Sequence, residues 1–280
     1  MERSLNPKEK SGYLKEDYRL FHIKDQTKRE YDYHYHAFHK VIIFLSGNVT
    51  YHIEGKAYHL KPWDILLVNQ YAIHKPEIDT TVPYERFILW IREDIAQPQL
   101  LTCFQKANDR SFNLIRLNAR LQEHLKDILY ELEGSLKAEA FCSELLSNAL
   151  FSQFMVYINR IFLEKNYIMD QKSYSYDTQV ENLVRYINRH LNDDLSIEYL
   201  ARKYYLSKYH MMRKFKEQTG YTMHSYINNK RLLLARSLIS QGAPVMKAAQ
   251  QSGFKDYTTF VRAYKKQFGG TPTASRSLER

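Results

Sequence analysis

The sequence predicts a two-domain protein: an N-terminal all-β barrel with a helical segment behind it, then an all-α C-terminal region of two helix-turn-helix units. Three patterns carry this. Short strand-like runs alternate with turn residues between 39 and 91, and apolar residues recur at helical spacing from about 110 to 165. Beyond 178, a helical unit repeats at an offset of 48 to 49 residues. A chain of 280 residues is long enough for two cores of ordinary size.

The strand-like runs are "HKVIIFL", "VTYHI", "KAYHL", "DILLV" and "YERFILWI", separated by "SGN", "EG" and "KPW". In the second run, Val49, Tyr51 and Ile53 alternate with Thr50 and His52, the period-2 signature of a half-buried strand. Several such strands close together predict a small β-barrel or sandwich with room for one small ligand. Leu121, Leu125, Ile128, Leu132 and Leu136 follow at spacings of four, three, four and four, one apolar stripe on a helix. A stripe of this kind either covers the barrel or pairs with its copy in a second subunit as a short coiled coil. A second helix, roughly 138–165, carries Leu145, Leu146, Ala149, Phe154 and Ile158. The periodicity is then lost in "NYIMDQKSYSYD", residues 166–177, which read as a linker.

Helix signals are dense after this point. Thr178 and Glu181 are spaced as a capping box, Ser196 and Ser207 stand as N-caps, and Gly220 suits a left-handed C-cap. Leu195 and Leu200 flank the second start as a hydrophobic staple. Only "YYL" separates the second and third helices, the tight spacing of a helix-turn-helix. The unit then recurs: Ile197 and Ala201 match Val245 and Ala249, while Met211, Phe215 and Gly220 match Phe260, Tyr264 and Gly269. Met211 and Phe215 are predicted core, leaving Tyr209, Met212, Arg213 and Lys216 on the outer face. In the second copy Phe260 and Tyr264 are core, and Thr258, Val261, Arg262 and Lys265 face out. Residues 222–240 join the copies as one helix of about 28 Å. That length fits two recognition helices set into successive major grooves, about 34 Å apart.

Charge divides along the same line. Residues 178–280 hold 18 Lys and Arg against 7 Asp and Glu, whereas the first 177 hold 23 against 24. A net charge of +11 confined to the helical repeat predicts a polyanion partner, double-stranded DNA. No apolar run reaches the ~20 residues of a membrane span, so no membrane partner is expected. "MERSLNPKEK" has no hydrophobic signal segment, which predicts a cytoplasmic protein. Cys103 and Cys142 belong to no C-x-x-C or zinc-type pattern and read as reduced structural thiols.

On these residues the C-terminal third resembles the DNA-binding domain of the AraC/XylS family of bacterial transcription regulators. "LSIEYLARKYYLSKYHMMRKFKEQTGYTMHSYINNKRLLLAR" is similar to its first helix-turn-helix and connecting helix, and "GFKDYTTFVRAYKKQFGGTP" to its second-unit signature. The resemblance implies base contacts from Tyr209, Met212 and Arg213, and from Thr258, Thr259, Val261 and Arg262. It departs at Pro244, where a polar cap is usual, and at Ser275, where an aromatic follows "TP". Residues 33–91 are similar to the cupin-like sensor barrels carried by many such regulators. The implied protein is a ligand-responsive regulator, more often an activator of a catabolic pathway, with a sugar-like effector, a homodimeric state and RNA polymerase as a further partner.

Seven of the eleven histidines lie before residue 75, three of them in "YHYHAFHK". In metal-binding cupins an H-x-H pair is followed by a Glu and a later His. Here His34 and His36 give the pair and His74 the later position, but Lys40 stands where Glu is expected, and a cation repels a metal. Trp63 replaces the usual Gly of the "KPGD" turn, so that turn must change conformation or accept strain. Three readings of the histidines stay open: gripping a polar effector, filling a core, or binding a metal. Tyr51 and Trp90 are further pocket candidates, since aromatic faces stack on sugar rings; His39 is expected on the opposite face from His36. The reading adopted has no cofactor, no metal and no catalytic residue. It divides the chain into an effector barrel (1–110), a helical dimerisation segment (111–165), a linker (166–177) and a DNA-binding domain (178–280). A metal-dependent cupin enzyme fused to a DNA-binding domain, and an effector-independent regulator, are its rivals.

Overall fold

A computed structural model describes residues 14, 16–26, 31–168 and 174–277. Residues 169–173 of the expected linker lie outside the described residues. The chain divides into two compact units, one of residues 1–53 and 57–175, the other of residues 176–280 with the short turn 54–56.

The first unit holds two antiparallel sheets. One has the order β1-β7-β2-β5-β8, the other β6-β3-β4-β9. Their strands are β1 (Tyr18–Asp25), β2 (His39–Ser46), β3 (Val49–Ile53), β4 (Lys56–His59), β5 (Ile65–Val68), β6 (His74–Ile78), β7 (Tyr84–Ile91), β8 (Leu114–Ile115) and β9 (Tyr174–Tyr176). The alternation in β3 is as expected, with Val49, Tyr51 and Ile53 buried between half-buried neighbours. β2 pairs with β7 on one side and β5 on the other, and its first six residues are all buried. That explains a continuous apolar run in place of an alternating one. β1, β6 and β9 are further strands that the sequence pattern does not announce.

Among the described residues three α-helices belong to the same unit: α1 (Thr102–Arg110), α2 (Ala119–Lys137) and α3 (Ser143–Leu163). The dimer seam expected on α2 is corrected here. Leu125, Ile128 and Leu132 are buried in the core shared with the sheets, and Leu121 packs against it. Leu136 alone stays exposed. A stripe at helical spacing looks the same whether it meets its own sheet or a partner helix, and here it meets its own core. α3 contributes Phe151, Phe154, Ile158 and Phe162 to that core, whereas Leu145 and Leu146 are exposed.

A buried ion pair ties the sheets to the turn before β5. Asp64, 1% exposed, accepts Arg116 Nε at 2.8 Å on one oxygen and Arg116 Nη2 at 2.5 Å on the other. The second oxygen also caps the Lys61 N–H at 2.8 Å. Within this turn Trp63 holds φ +67°, so the chain accepts left-handed strain where a glycine would be relaxed.

The second unit is all helical: α4 (Thr178–Arg189), α5 (Ile197–Lys203), α6 (Lys208–Thr219), α7 (Met223–Ser240), α8 (Val245–Gln251), α9 (Tyr257–Phe268) and α10 (Pro272–Ser277). Ser196 and Ser207 cap α5 and α6 through Tyr199 and His210 N–H groups. Gly220 ends α6 at φ +75°. The cap of α4 differs from expectation: Asp177, not Thr178, takes the Gln179 and Val180 N–H groups, and Thr178 is the first helical residue. Pro244 precedes α8 with no side-chain cap, whereas Asp256 caps α9 through Thr259 N–H. No helix among the described residues is long and apolar enough to cross a membrane.

Both tryptophans lie in the first unit, so their fluorescence reports on it alone. Asp64→Asn leaves the Arg116 guanidinium buried beside a neutral amide. Urea unfolding followed at the tryptophans should show a loss of roughly 3–5 kcal/mol. A loss under about 1 kcal/mol would remove the pair from this role.

Candidate functional site

The five residues expected to line an effector pocket come together. The H-x-H pair lies in the segment before β2, and His34 exchanges backbone hydrogen bonds with His74 at the start of β6 (3.0 and 2.9 Å). The His34 and His74 rings are 4.5 Å apart, His34 and His36 5.0 Å, and His36 and His74 5.4 Å. Tyr51 stacks toward His74 at 6.0 Å, and Trp90 toward His36 at 6.4 Å. Phe38 and Phe21, each 4.6 Å from the Trp90 ring, extend the aromatic wall. The sequence reading missed both phenylalanines, and only the alternation in "HAFHK" hints at the first. His39 lies on the opposite side, against the Phe104 ring at 4.4 Å, its Nδ1 accepting the Gln70 N–H at 3.2 Å.

Hydrogen bonding sets the imidazole tautomers. His34 Nδ1 donates to the Asp32 carbonyl at 2.8 Å, and His74 Nδ1 to the Ala72 carbonyl at 2.7 Å. A carbonyl only accepts, so each Nδ1 carries the hydrogen, and the neutral His74 ring keeps its lone pair at Nε2. At His74 that lone pair accepts from the Lys40 ammonium at 3.2 Å. Burial foremost, with the Lys40 charge beside it, holds His74 well below the ordinary imidazole range. Burial also pushes His39 down to about 3. The indole N–H of Trp90 is closed off from solvent and has no acceptor among the described residues.

The ligand nitrogens of His34, His36 and His74 lie within 4.8 Å of one another, a spacing that suits a shared cation. The surroundings do not fit a resident metal. Lys40 already occupies the His74 lone pair, and its ammonium would share a buried site with a divalent ion.

The second unit presents the other candidate surface. On α6, Met211 and Phe215 are buried, while Tyr209, Met212, Arg213 and Lys216 lie on the exposed side. On α9, Phe260 and Tyr264 are buried, and Thr258, Thr259, Arg262 and Lys265 are exposed. Val261 is half-buried against the core of the second repeat, so only part of its side chain reaches that face. Arg213 is 3.8 Å from Glu217, a loose exposed pair that leaves the guanidinium available. Lys214, by contrast, is committed to Asp177 at 2.5 Å and stands off the face. α7, 18 residues long, joins the repeats over about 27 Å.

An aromatic and imidazole cluster in a β-barrel, and two exposed recognition faces in a basic helical repeat, define a two-domain DNA-binding transcription regulator. Comparison with known proteins is specific. Residues 19–154 match the AraC-like ligand binding domain, and residues 200–277 match a helix-turn-helix domain. The chain is 25% identical over 251 residues to the HTH-type transcriptional activator RhaR of Mannheimia succiniciproducens, covering 87% of this chain and 86% of that protein. It is 24% identical to the HTH-type transcriptional activator RhaS of Klebsiella pneumoniae, covering 85% of each. The right origin-binding protein of Escherichia coli is 37% identical over 98 residues, 35% of this chain and 34% of its own. The chain belongs to the AraC family of transcription regulators.

A pH dependence follows from the buried imidazoles. His39 and His74 stay neutral when folded, but in the unfolded chain they protonate below about pH 6.5. Their folded pKa values are depressed, so stability present above pH 6.5 is lost as pH falls. The loss reaches up to about 1.4 kcal/mol per pH unit for each histidine, before most carboxylates titrate near 4. Urea unfolding at pH 7 and pH 5, followed at the tryptophans, should show it. His39→Gln should flatten the dependence, and an unchanged slope would remove His39 as a cause.

Proposed function

We propose that this regulator senses a sugar or related polar metabolite in its barrel, and that the sensing residues are His34, His36, Tyr51, His74 and Trp90. The observation that carries this is the chain of ring contacts that joins them, with the closed-off Trp90 N–H, an unused hydrogen-bond donor, on the ring next to His36. Buried polar groups are ordinarily satisfied, so an orphaned donor in a ring of aromatics supports a ligand that completes it. The names of the RhaR and RhaS relatives support an activator. On this reading the protein has no enzymatic activity, acts in the cytoplasm, and works beside RNA polymerase.

We also infer a homodimer, supported by Leu136, Phe141, Leu145 and Leu146, which are left exposed near the α2–α3 turn. DNA contact is assigned to Tyr209, Met212, Arg213 and Lys216 on α6, and to Thr258, Thr259, Val261, Arg262 and Lys265 on α9. The lysines act chiefly on phosphates, supplying affinity that falls with salt, while the two arginines and their small and aromatic neighbours choose sequence.

Thermal melting of the full chain against sugars, other metabolites and divalent metals tests the sensor. A bound effector at a hundred times its dissociation constant adds about 2.7 kcal/mol, a shift of several degrees. That shift should disappear in His36→Ala and Trp90→Phe. A shift with a divalent metal alone would favour the cupin-enzyme reading, and a ligand shift that survives both substitutions would move the site elsewhere. For the reader, Arg213→Ala should cost roughly 1–3 kcal/mol on operator DNA and relax sequence choice. Equal weakening on operator and random DNA would reduce Arg213 to a phosphate contact.

A further inference from the structure

A second pocket lies in the first unit, away from the histidine cluster. It is an open groove of about 1000 Å³ formed by the start of α2, the later half of α3 and the segment that follows α3. Among the described residues its charged lining is of one sign: Arg120 on α2 and Lys165 after α3. Neither side chain makes an ion pair or side-chain hydrogen bond among the described residues. His124, one turn further along α2, adds a third polar group. Its Nε2 is closed off from solvent without a hydrogen-bond partner, and its ring stands edge-on to Tyr157 at 4.5 Å.

The backbone reinforces the charge. Asn118 caps α2 by accepting the Leu121 N–H at 3.0 Å, and its carbonyl takes the Gln122 N–H. The N–H groups of Ala119 and Arg120 remain at the free, positive end of a 19-residue helix that opens into the same groove. Tyr157 and Tyr167 supply aromatic walls beside these donors. Two cations and two backbone donors on one groove wall exceed what a single carboxylate uses. They match the three terminal oxygens and double charge of a phosphate monoester, and the tyrosines suit its organic part.

We propose that this groove binds a phosphorylated small molecule, its phosphate held by Arg120, Lys165 and the start of α2, beside the His124 ring. The site is separate from the effector cluster and stands whether or not a sugar binds there. Lys165 directly precedes the stretch expected to be the linker, so a ligand bridging it to α2 would fix where that stretch departs.

The test uses the full chain labelled with 15N-histidine, titrated with inorganic phosphate, with glucose 6-phosphate and with glucose at constant ionic strength. The His124 ring signals, assigned through His124→Gln, distinguish this groove from phosphate gathered by the basic helices. They should move and saturate with glucose 6-phosphate, less tightly with inorganic phosphate, and remain still with glucose. Arg120→Ala should weaken binding about tenfold or more, and Arg120→Lys should restore most of it. Lys165→Asn, which tolerates the left-handed backbone at φ +59°, should weaken it likewise. Unchanged melting of the ligand-free variants verifies that they fold. The proposal is overturned if His124 is unmoved up to roughly 10 mM ester, or if the Arg120→Ala titration matches wild type. Equal affinity for inorganic phosphate and the ester would overturn the organic-ligand part.

Discussion

Both oxygens of Asp64 are spoken for by Arg116 in a place almost without water, and much of the first unit is arranged around that fact. The same carboxylate closes the Lys61–Asp64 turn, and Arg116 reaches on to the His59 carbonyl at 3.4 Å. One side-chain pair thereby joins the end of β4, the entry to β5 and the exit from β8. The Trp63 N–H is delivered to the Phe44 carbonyl at 2.6 Å by a backbone in the left-handed region. A left-handed tryptophan costs about 1–2 kcal/mol and persists only where its surroundings over-determine it. The ion pair, the turn bonds and contact between the Trp63 and Tyr130 rings do so. Buried pairs seldom add net stability over a well-packed apolar substitute, but once built they make either partner costly to lose.

The histidine cluster shows a second use of burial. Imidazoles in water are half-committed near neutral pH; sealed beneath aromatic rings they hold one state. Two backbone carbonyls fix the hydrogens of His34 and His74, and desolvation keeps His74 and His39 uncharged. The cluster therefore sets a neutral His74 and one ammonium among aromatic rings. The cation that the sequence places where a metal-binding barrel has its carboxylate instead donates to an imidazole.

What was legible in the sequence was local or repeated. β3 and β7 fall on "VTYHI" and "YERFILWI" because alternation is a property of a few neighbours. Ser196, Ser207 and Gly220 cap their helices because caps need only the adjacent turn. The Asp177 cap escaped because Thr178 and Glu181 offered an equally good box one residue later. The α2 stripe was misassigned to a partner because spacing reports an apolar face and not what covers it. β1 joins its sheet by pairing with β7, some sixty residues away, with only Tyr18 fully buried, so it left little local mark. The groove at the start of α2 was invisible for the same reason: Arg120, His124, Tyr157 and Lys165 become neighbours only through the α2–α3 packing.

Charge along the chain separates two kinds of work. On the proposed reading, the nearly neutral unit recognises its effector at the histidine cluster through shape, hydrogen bonds and ring faces, interactions that salt hardly alters. The helical repeat, net +11 over residues 178–280, meets a phosphate backbone, where each neutralised phosphate releases counterions and salt acts directly on affinity. Ionic strength therefore moves the DNA equilibrium while leaving the effector equilibrium nearly fixed. Coupling between the two is reciprocal: an effector changes DNA affinity only by the factor through which DNA changes effector affinity. Recognition by ring faces and hydrogen bonds supports such coupling better than a salt-sensitive ion pair would, because the strength of the signal then stays constant while the grip on DNA is tuned.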